Sequence, residues 1–393
     1  MNRVVLLTKD AQPCSYYPTY GNKHWKTPNI DELSHKGTVF LHHYTAAPST
    51  AMAFYSMFTG KYPYESTRKS YIPVSGDIDY KNTLFGLFER KTGLRCHVIW
   101  DEHFDYFALP YANCFGPETV LHSIHIAQKI GPHANGNIEL KENNDVAQST
   151  LKRLFDEIDA SISQGCSLLW IHLPHVLLGR TCYGGDIDLV DQIVGFLRTR
   201  FDDNCIYISA DHGNMNGQKN KMCYGFDVYE SAIHIPLITP RIDTLNQVDF
   251  NTSNVDLIHI MIDNIIPRRE FVVSDDAYYA QPHRKMAIIY NNYKYIFNKK
   301  TKTEELYDLN YDPNETVNLL DIHFFDRDRK VFYCLNQVYY YPFWIDAHKA
   351  YEKIKAEKNR IWKSESFIER QEERTKRFFR FLKQKTRLFK KTK

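Results

Sequence analysis

The chain has 393 residues, of which 43% are hydrophobic and 25% are charged. This composition excludes a disordered or fibrous protein and allows one large α/β domain with an appendage. The formal net charge of +3 hides an asymmetry, because residues 374–393 hold ten Lys or Arg and no acidic residue. Subtracting these ten charges from +3 leaves −7 for the rest of the chain, so the basic character belongs to the tail.

The first apolar run, Val4–Leu7, is too short for the core of a signal peptide and predicts a buried strand. No apolar stretch of the sequence is long enough to span a bilayer. The eight cysteines are scattered without any Cys-x-x-Cys pair, which argues against a disulfide framework and against a structural zinc site. We therefore expect a cytoplasmic protein with free thiols.

Buried strands alternate with helices through the first two-thirds of the chain. The pattern predicts strands at Val4–Leu7, Cys96–Trp100, Ser167–Ile171 and Cys205–Ser209, and helices at Asp145–Ala160 and Ile187–Phe201. This alternation predicts a doubly wound α/β sheet that is covered on both faces by helices. Ligands of such sheets bind at the carboxyl ends of the strands.

Shorter β-type runs follow after about residue 268. Phe271–Val273 precedes two runs, Met286–Tyr290 and Tyr293–Phe297, which are joined by a tight Asn-Asn turn. This pattern indicates a hairpin. It predicts a small antiparallel C-terminal subdomain.

We therefore predict three parts: a catalytic α/β core (1–267), an antiparallel subdomain (268–345) and a charged, amphipathic helical tail (346–393). The polar stretch Asn113–Asn144 is predicted to be a lid or a surface loop.

A pair of hydroxyl residues, Ser49 and Thr50, precedes the helical stretch Ala51–Thr59, and Gly60 follows as a natural helix stop. At the start of a helix, unpaired backbone N–H groups and the helix dipole favour an anion. An alkoxide nucleophile and the phosphate that it attacks would both be stabilised there. Taken alone, however, such a pair is more often a simple helix cap.

The surrounding segments resemble the sulfatase branch of the alkaline phosphatase superfamily through most of residues 1–320. TPNIDELSHKG (27–37) resembles the block after the family's first metal-binding loop, and ELYDLNYDPNETVNLL (305–320) resembles its C-terminal structural block. APSTAMAFYSMFTGKYP (47–63) resembles the nucleophile helix, with Thr50 at the nucleophile position. The resemblance implies an alkaline-phosphatase-like fold with a mixed sheet.

The nucleophile helix also departs from the family. Sulfatases need Cys or Ser as nucleophile, with Pro two residues later and Arg four residues later, so that the nucleophile can be oxidised to formylglycine. Here these positions hold Thr50, Met52 and Phe54, and Thr cannot become the aldehyde. An unmodified Thr is similar to nucleotide pyrophosphatases and phosphodiesterases and to phosphoethanolamine and phosphoglycerol transferases. This similarity implies that a Thr oxygen attacks phosphorus and carries a covalent intermediate.

A second motif, Asp211-His212-Gly213, follows a predicted strand, and Asp10 lies at the end of the first strand. A carboxylate and an imidazole at one edge of a sheet are suitable ligands for zinc or manganese. The resemblance implies that Asp10, Asp211 and His212 bind one divalent metal, with Thr50 as the fourth ligand. We expect Zn²⁺ or Mn²⁺, with Mg²⁺ or Ca²⁺ as alternatives. Such an ion would lower the pKa of the Thr hydroxyl and offset charge on the phosphoryl oxygens.

Sulfatases usually carry two adjacent Asp residues at the first strand, and here Lys9 takes one of those places. The loss of one acid favours a single-metal site. The Lys9 ammonium could instead hold a substrate oxygen.

Three histidines follow predicted strands. In the block that contains His172 and His175, the resemblance implies that the second histidine contacts the transferred group or a second metal; His172 fits a core or loop position equally well. His103 lies where sulfatases place a Lys and a His on the sulfate, and Asp101 stands at the Lys position. His103 is predicted to act as a general acid or to bind phosphate, with a plain surface histidine as an equal alternative.

Apolar residues recur at roughly helical spacing among the basic residues of the tail, at Phe378, Phe381, Leu382, Leu388 and Phe389. This pattern suits the anionic surface at the inner face of a cell membrane, and a solvated helix or a disordered end explains it equally well. Nucleic acid is not favoured as a partner, because nothing in the acidic body supports it.

The preferred hypothesis is a phosphotransferase that moves phosphoethanolamine or phosphoglycerol from a phospholipid or a nucleotide-activated donor to a glycan or lipid-linked acceptor. In this hypothesis Thr50 attacks, the metal activates it, and His175 and His103 assist. The first alternative is a phosphodiesterase or a sulfatase-type hydrolase, in which water resolves the intermediate. The second alternative is a catalytically silent binding protein on the same fold.

Overall fold

The computed structural model describes residues 3–65, 78–105, 114–126, 144–177, 180–181, 185–275, 285–326, 331–334, 337–340 and 345–363. An eight-stranded mixed sheet forms the centre of this structure. In order across the sheet its strands are β13 (Gln247–Val248), β2 (Thr38–Phe40), β12 (Leu237–Thr239), β9 (Ile206–Ala210), β1 (Val4–Lys9), β6 (Leu168–Leu173), β4 (His97–Asp101) and β5 (Val120–Ile124).

The four buried strands predicted from the sequence lie together in the middle of this sheet. β1 is parallel to both β6 and β9, and β4 is parallel to β6. The sheet is mixed because β12 runs antiparallel to β9 and β2. The predicted fold class, a doubly wound mixed α/β sheet with a separate antiparallel sheet, is therefore confirmed.

Helices follow the strands in the α/β manner. They are α1 (Pro28–Lys36), α2 (Thr50–Thr59), α3 (Leu84–Thr92), α4 (Asn144–Ser163), α5 (Ile187–Arg198), α6 (Glu230–Ile233) and α7 (345–363). None of the helices in the described part of the chain is both long and apolar enough to cross a bilayer.

One buried aromatic cluster holds α2 against the sheet. Phe54 and Phe58 of α2 lie edge-on to Trp170 of β6, with ring centroids 5.0 and 4.7 Å apart. Phe85 of α3 packs against Phe58 at 4.8 Å. Because aromatic side chains bury large areas in specific geometries, this cluster fixes the position of Thr50 at the start of α2.

Short two-stranded ladders lie around the main sheet. They are formed by β3 (His43–Tyr44) with β14 (Thr252–Ser253), β7 (Val176–Leu177) with β8 (Arg180–Thr181), and β10 (Met215–Asn216) with β11 (Met222–Cys223).

The C-terminal part contains two antiparallel sheets. The first comprises β15 (Val272–Asp275), β16 (Lys285–Tyr290), β17 (Tyr293–Asn298) and β18 (Glu304–Asp308), and the second comprises β19 (Ile322–Asp326), β20 (Val331–Cys334) and β21 (Gln337–Tyr340). The predicted hairpin is the β16–β17 pair. Helix α7 packs Ala350 and Ile354 into the core of the first sheet.

The stretch 113–144 is not only a loop, because its residues Val120–Ile124 form β5, parallel to β4; residues 127–143 lie outside the described part. The basic end of the tail, 364–393, also lies outside the described part, so membrane association through the tail stays a prediction. The cytoplasmic location and the three domain boundaries stay predictions as well.

The six cysteines whose side chains are described form no disulfide.

Candidate active site

The parallel register of two neighbouring strands brings the predicted metal ligands together. Lys9 at the end of β1 lies opposite Ala210 at the end of β9. The next residues, Asp10 and Asp211, therefore leave the sheet side by side, with His212 following. One ligand atom from each of Asp10, Asp211 and His212 lies within 4.8 Å of the others, and all three residues are buried.

The carboxylates are oriented for a cation. Asp211 Oδ1 accepts hydrogen bonds from the backbone N–H of Ala11 (3.1 Å) and of His212 (2.8 Å). Its other oxygen, Oδ2, and Oδ1 of Asp10 are buried and accept no hydrogen bond within the described part of the chain. Buried carboxylate oxygens are normally paired or bound to metals. These two oxygens therefore fit metal ligation.

The imidazole of His212 is held in the matching tautomer. Its Nδ1 lies 2.8 Å from the carbonyl oxygen of Gly213 and so carries the proton. The lone pair on Nε2 then points into the cluster, 3.5 Å from Asp10 Oδ1 and from Asp211 Oδ2. A backbone acceptor behind a ligating histidine is the usual arrangement at metal sites. Two carboxylates and one imidazole fit a divalent metal ion.

The predicted nucleophile lies against this cluster. Thr50 is the first residue of α2, and its Oγ1 is 3.1 Å from His212 Nε2. The preceding residue, Ser49, makes no side-chain capping bond. The N–H groups of the first helical turn therefore donate no hydrogen bond to the Ser49 side chain. They point out of the N-terminal end of α2, where Thr50 lies. The structure thus brings Thr50 together with all three predicted metal ligands.

His172 and His175 have different environments. His172 is fully buried; its Nδ1 contacts the Thr8 hydroxyl at 2.8 Å, and its ring packs on Phe54 at 4.7 Å. Burial lowers the pKa of His172 well below its ordinary value, so it is a neutral core histidine. His175 instead lies 5.6 Å from the Tyr224 ring, which lies 4.5 Å from the His212 ring. His175 therefore stands at the rim of the site.

His175 is a neutral group at ordinary pH. Burial, followed by the charge of Lys9, lowers the pKa of His175 to about 4. A neutral imidazole accepts a proton and does not repel a metal ion.

His103 forms a pair with Asp101. The His103 side chain is 42% exposed, and its Nδ1 lies 2.6 Å from Asp101 Oδ1. Asp101 is 1% exposed and also accepts the backbone N–H of His103 and of Ile126. This contact leaves Nε2 as the nitrogen of His103 that can exchange a proton with a ligand. The ring of His103 packs on Phe104, with ring centroids 4.0 Å apart, and Phe104 packs on His172, with ring centroids 4.6 Å apart.

Known proteins resemble this chain in sequence and in fold. The family model described as Sulfatase matches residues 2–176. A phosphonate monoester hydrolase of Agrobacterium radiobacter shares 15% identity, with a TM-score of 0.62 over 92% of this chain and 96% of that chain. A putative sulfatase from Bacteroides thetaiotaomicron shares 14% identity, with a TM-score of 0.62 over 91% and 93%. A 2-O GAG sulfatase gives the same identity and TM-score over 91% and 92%. No curated protein sequence matches the chain.

Residues 2–176 match the Sulfatase family model, and the fold of the chain is similar to that of enzymes in the sulfatase-like branch of the alkaline phosphatase superfamily. The prediction of an enzyme of this superfamily is thereby confirmed. The structures below 25% identity support the fold, and the family model covers the strand ends and the helix that carry Asp10, Thr50 and His175.

Two core residues of this sulfatase-like enzyme occupy the positions of the formylglycine pattern. Met52 and Phe54 are buried at 2% and 1% exposure. Phe54 belongs to the aromatic cluster and also contacts His172, so a charged arginine there would lose its solvation. The helix is thus built as a packing element around an unmodified Thr50.

Lys9 does not face the substrate space of this sulfatase-like enzyme. Its side chain is 1% exposed and forms a 3.0 Å ion pair with Asp186. The sequence-based alternative in which Lys9 holds a substrate oxygen is therefore wrong. Sequence reasoning missed Asp186 and Tyr224, because neither carries a local motif; Asp186 was visible only as the residue before a predicted helix.

The metal-free enzyme is expected to lose stability as the pH rises from about 4 to about 7. Burial is the main cause that raises the pKa of Asp10 to about 6 and of Asp211 to about 7, against an unfolded value of about 4. A raised carboxyl pKa stabilises the folded state fully below the unfolded value, and this contribution is lost as the pH rises through the folded value. Urea unfolding in the presence of a chelator at pH 5 and pH 8 measures the difference.

The control for this pH prediction is the double variant Asp10→Asn/Asp211→Asn. Its stability should depend less on pH over the same range. An equal pH dependence of the parent and the double variant would show that these two carboxylates do not cause the loss of stability.

The turn after His212 requires glycine at position 213. A Cβ atom there would lie 2.1 Å from the backbone oxygen of Ser231. We expect Gly213→Ala to lower the free energy of unfolding by about 1–3 kcal/mol, since overpacking forces the backbone to move. The matched control is Gly116→Ala, whose Cβ would lie nearest to the flexible end of the Glu89 side chain. Urea unfolding should separate the two variants, and equal stabilities would contradict the tight turn.

Proposed function

We propose that this enzyme cleaves a phosphate- or phosphonate-type ester through a covalent intermediate on Thr50, with one divalent metal bound by Asp10, Asp211 and His212. The observation that carries the proposal is the 3.1 Å contact between Thr50 Oγ1 and His212 Nε2. It places an unmodified hydroxyl beside two buried carboxylate oxygens that lack hydrogen-bond partners in the described structure.

Zn²⁺ or Mn²⁺ suits this site better than Mg²⁺ or Ca²⁺. The site offers two carboxylates and one imidazole nitrogen, whereas Mg²⁺ and Ca²⁺ prefer oxygen ligands alone. A bound ion supplies Lewis acidity, which favours the Thr50 alkoxide and offsets charge on the phosphoryl oxygens.

Two displacements complete the reaction. In the first, the Thr50 oxygen, whose proton has been released to water, forms a bond to phosphorus, the bond to the ester oxygen breaks, and the leaving oxygen takes a proton from His103. In the second, a water oxygen bonds to phosphorus, the bond to Thr50 breaks, and the proton of the water passes to a neutral base. His175 suits the role of this base, because burial and Lys9 keep its imidazole neutral.

Phosphorus is favoured over sulfur by two residues. Thr50 cannot form the aldehyde on which the sulfatase reaction depends, and Asp101 stands at the position of a sulfate-binding Lys. In the structure Asp101 binds His103, so a carboxyl group lies where sulfatases place a cationic side chain. A sulfate-ester hydrolase is the second candidate, because sulfatases are among the similar structures.

Transfer to an acceptor, the reaction preferred from the sequence, shares the first displacement. It differs in the second, where an alcohol of a glycan or of a lipid-linked acceptor replaces water. The donor would be a phospholipid headgroup or a nucleotide-activated group, as predicted above. Hydrolysis requires no such acceptor and is the simpler outcome of the same Thr50 chemistry.

Peptide mass spectrometry of Thr50 tests this function. The parent enzyme and Thr50→Val are incubated with Zn²⁺ or Mn²⁺ and with p-nitrophenyl phenylphosphonate, bis-p-nitrophenyl phosphate or p-nitrophenyl sulfate, and then quenched in acid. A phospho or phosphonyl adduct on the parent peptide alone, with release of p-nitrophenol, supports the proposal. Turnover of the sulfate ester only would favour the sulfatase-type hydrolase, and metal binding without any adduct or turnover would contradict the proposal.

The Asp101–His103 pair gives a further prediction. Asp101→Asn should lower kcat by about 100-fold for esters of alkyl alcohols, because a correctly oriented general acid contributes at least that much. Esters of p-nitrophenol should be affected far less, since this leaving group needs no proton. Steady-state kinetics on the two ester classes checks the prediction.

His103→Gln is the control for this pair. It should reproduce the same difference between the two ester classes, and the double variant should lose nothing more. A uniform loss on both ester classes would assign Asp101 to structure alone.

A further inference from the structure

The side chain of Lys9 has an unusual environment. It lies at the end of β1, directly before the ligand Asp10, and is 1% exposed. Its Nζ lies 2.8 Å from the carbonyl oxygen of Pro174, 3.3 Å from that of His175, 3.2 Å from that of Asp10 and 3.0 Å from Asp186 Oδ2. A buried ammonium is stable only when it is paired and hydrogen-bonded, and these four oxygens meet that need.

The four oxygens come from three separate segments of the chain. One belongs to the end of β1, two belong to the turn that follows β6, and the carboxylate belongs to Asp186 before α5. Oxygen atoms that converge from three segments on one positive charge resemble the ligands of a bound cation. Here the cation is part of the chain.

The side chain of Asp186 contacts Lys9 and does not cap helix α5. Asp186 is the N-cap residue of α5, a position at which an Asp side chain commonly accepts a helical N–H. Its side chain makes no such capping bond and pairs with Lys9 instead. The carboxylate of Asp186 is therefore used for the contact with Lys9 and not for capping α5.

The turn held by Lys9 carries His175. Lys9 is in register with Leu173, the last residue of β6, and the N–H of Asp10 donates to the Leu173 carbonyl. The two following carbonyls, of Pro174 and His175, are the ones bound by the ammonium. The ring of His175 then lies beside Tyr224, next to His212.

We propose that Lys9 is a positioning residue: its ammonium, tied to Asp186, sets the backbone of Pro174 and His175 and thereby holds the His175 imidazole beside the Thr50 centre. The kinetic part of this inference rests on the proposed function. The placement of the imidazole does not, and it can be measured without turnover.

The test uses the double variant Lys9→Met/Asp186→Asn. Lys9→Met alone leaves the Asp186 carboxylate buried without its partner, which destabilises the fold by itself. The double variant removes both charges, so we expect it to fold and to bind one metal per chain, as measured by thermal unfolding and elemental analysis. Its kcat should fall roughly 10- to 100-fold with little change in KM, because a small misplacement of a reacting group has an effect of that size.

A cycle with His175→Ala separates positioning from general damage. His175→Ala in the parent should lower kcat by a similar factor, and the same substitution in the double variant should add nothing further. Additive losses in a folded, metal-bound triple variant would overturn the inference.

Ring signals of ¹⁵N-histidine-labelled protein give the readout that is independent of activity. The His175 signal, assigned from a His175→Gln spectrum, should shift in the Lys9→Met/Asp186→Asn protein, while that of exposed His24 stays in place. An unchanged His175 signal in the folded double variant would overturn the inference, whatever the kinetics. If the parent cleaves no ester, the proposed function fails, and this spectrum still decides the role of Lys9.

Discussion

Thr50→Ala is expected to lower kcat by roughly 10⁴-fold or more, since removal of a covalent nucleophile has effects of that order. The Thr50 hydroxyl is 3.1 Å from His212 Nε2, and Thr50 is the first residue of α2. The unpaired N–H groups of the first helical turn lie at the same end of this helix. Steady-state kinetics with the best ester found in the adduct experiment measures the loss.

Thr50→Ser and Thr50→Val serve as controls for the nucleophile. Serine keeps the hydroxyl and should retain most of the activity, whereas valine keeps the shape of threonine and should be as inactive as alanine. Metal content should stay close to one ion per chain in all three variants, because Asp10, Asp211 and His212 remain. An active Thr50→Val enzyme would show that water attacks phosphorus directly and that Thr50 is only a ligand or a cap.

The meeting of Asp10, Asp211 and Thr50 was predictable from the sequence for a physical reason. Buried parallel strands appear as short apolar runs, and their carboxyl ends must meet at one edge of the sheet. The side-by-side register of β1 and β9 satisfies that requirement. Thr50 followed from the helix start together with the family's spacing.

The parts that the sequence did not reveal depend on contacts between distant segments. Lys9 and Asp186 are both buried charges, and a charged residue beside a turn gives no local sign that it will be buried with a partner. The pairing of Asp101 with His103 is local, but the sequence offered only a missing lysine. The structure shows that Asp101 binds both the His103 ring and the Ile126 N–H.

The strands away from the centre of the sheet were also not predicted from the sequence. β5 alternates between partly buried and exposed positions, with Leu121 exposed and Ile124 buried, so it shows no apolar run. The antiparallel direction of β12 follows from how the chain returns to the sheet, which composition does not encode. His172 illustrates the same limit: it shares a motif with His175, yet its ring packs on Phe54 in the core.

Asp211→Asn is expected to lower the affinity for Zn²⁺ or Mn²⁺ by at least about 100-fold, since even residues that only support metal ligands cost 10- to 100-fold. The substitution is well matched to the site. Oδ1 of the asparagine can keep the two backbone hydrogen bonds from Ala11 and His212. Only Oδ2, which has no hydrogen-bond partner in the described structure, is replaced by an amide group.

The same substitution should stabilise the metal-free protein at pH 8. The buried Asp211 carboxylate is one of the causes that raise the pKa of Asp10, so a neutral amide removes a repulsion that the folded state otherwise carries above about pH 7. Thermal unfolding with and without Zn²⁺ should show a large metal shift for the parent and a small one for Asp211→Asn, which starts from a higher midpoint. A parent-like metal shift in this variant would contradict a role for the Asp211 carboxylate in metal binding.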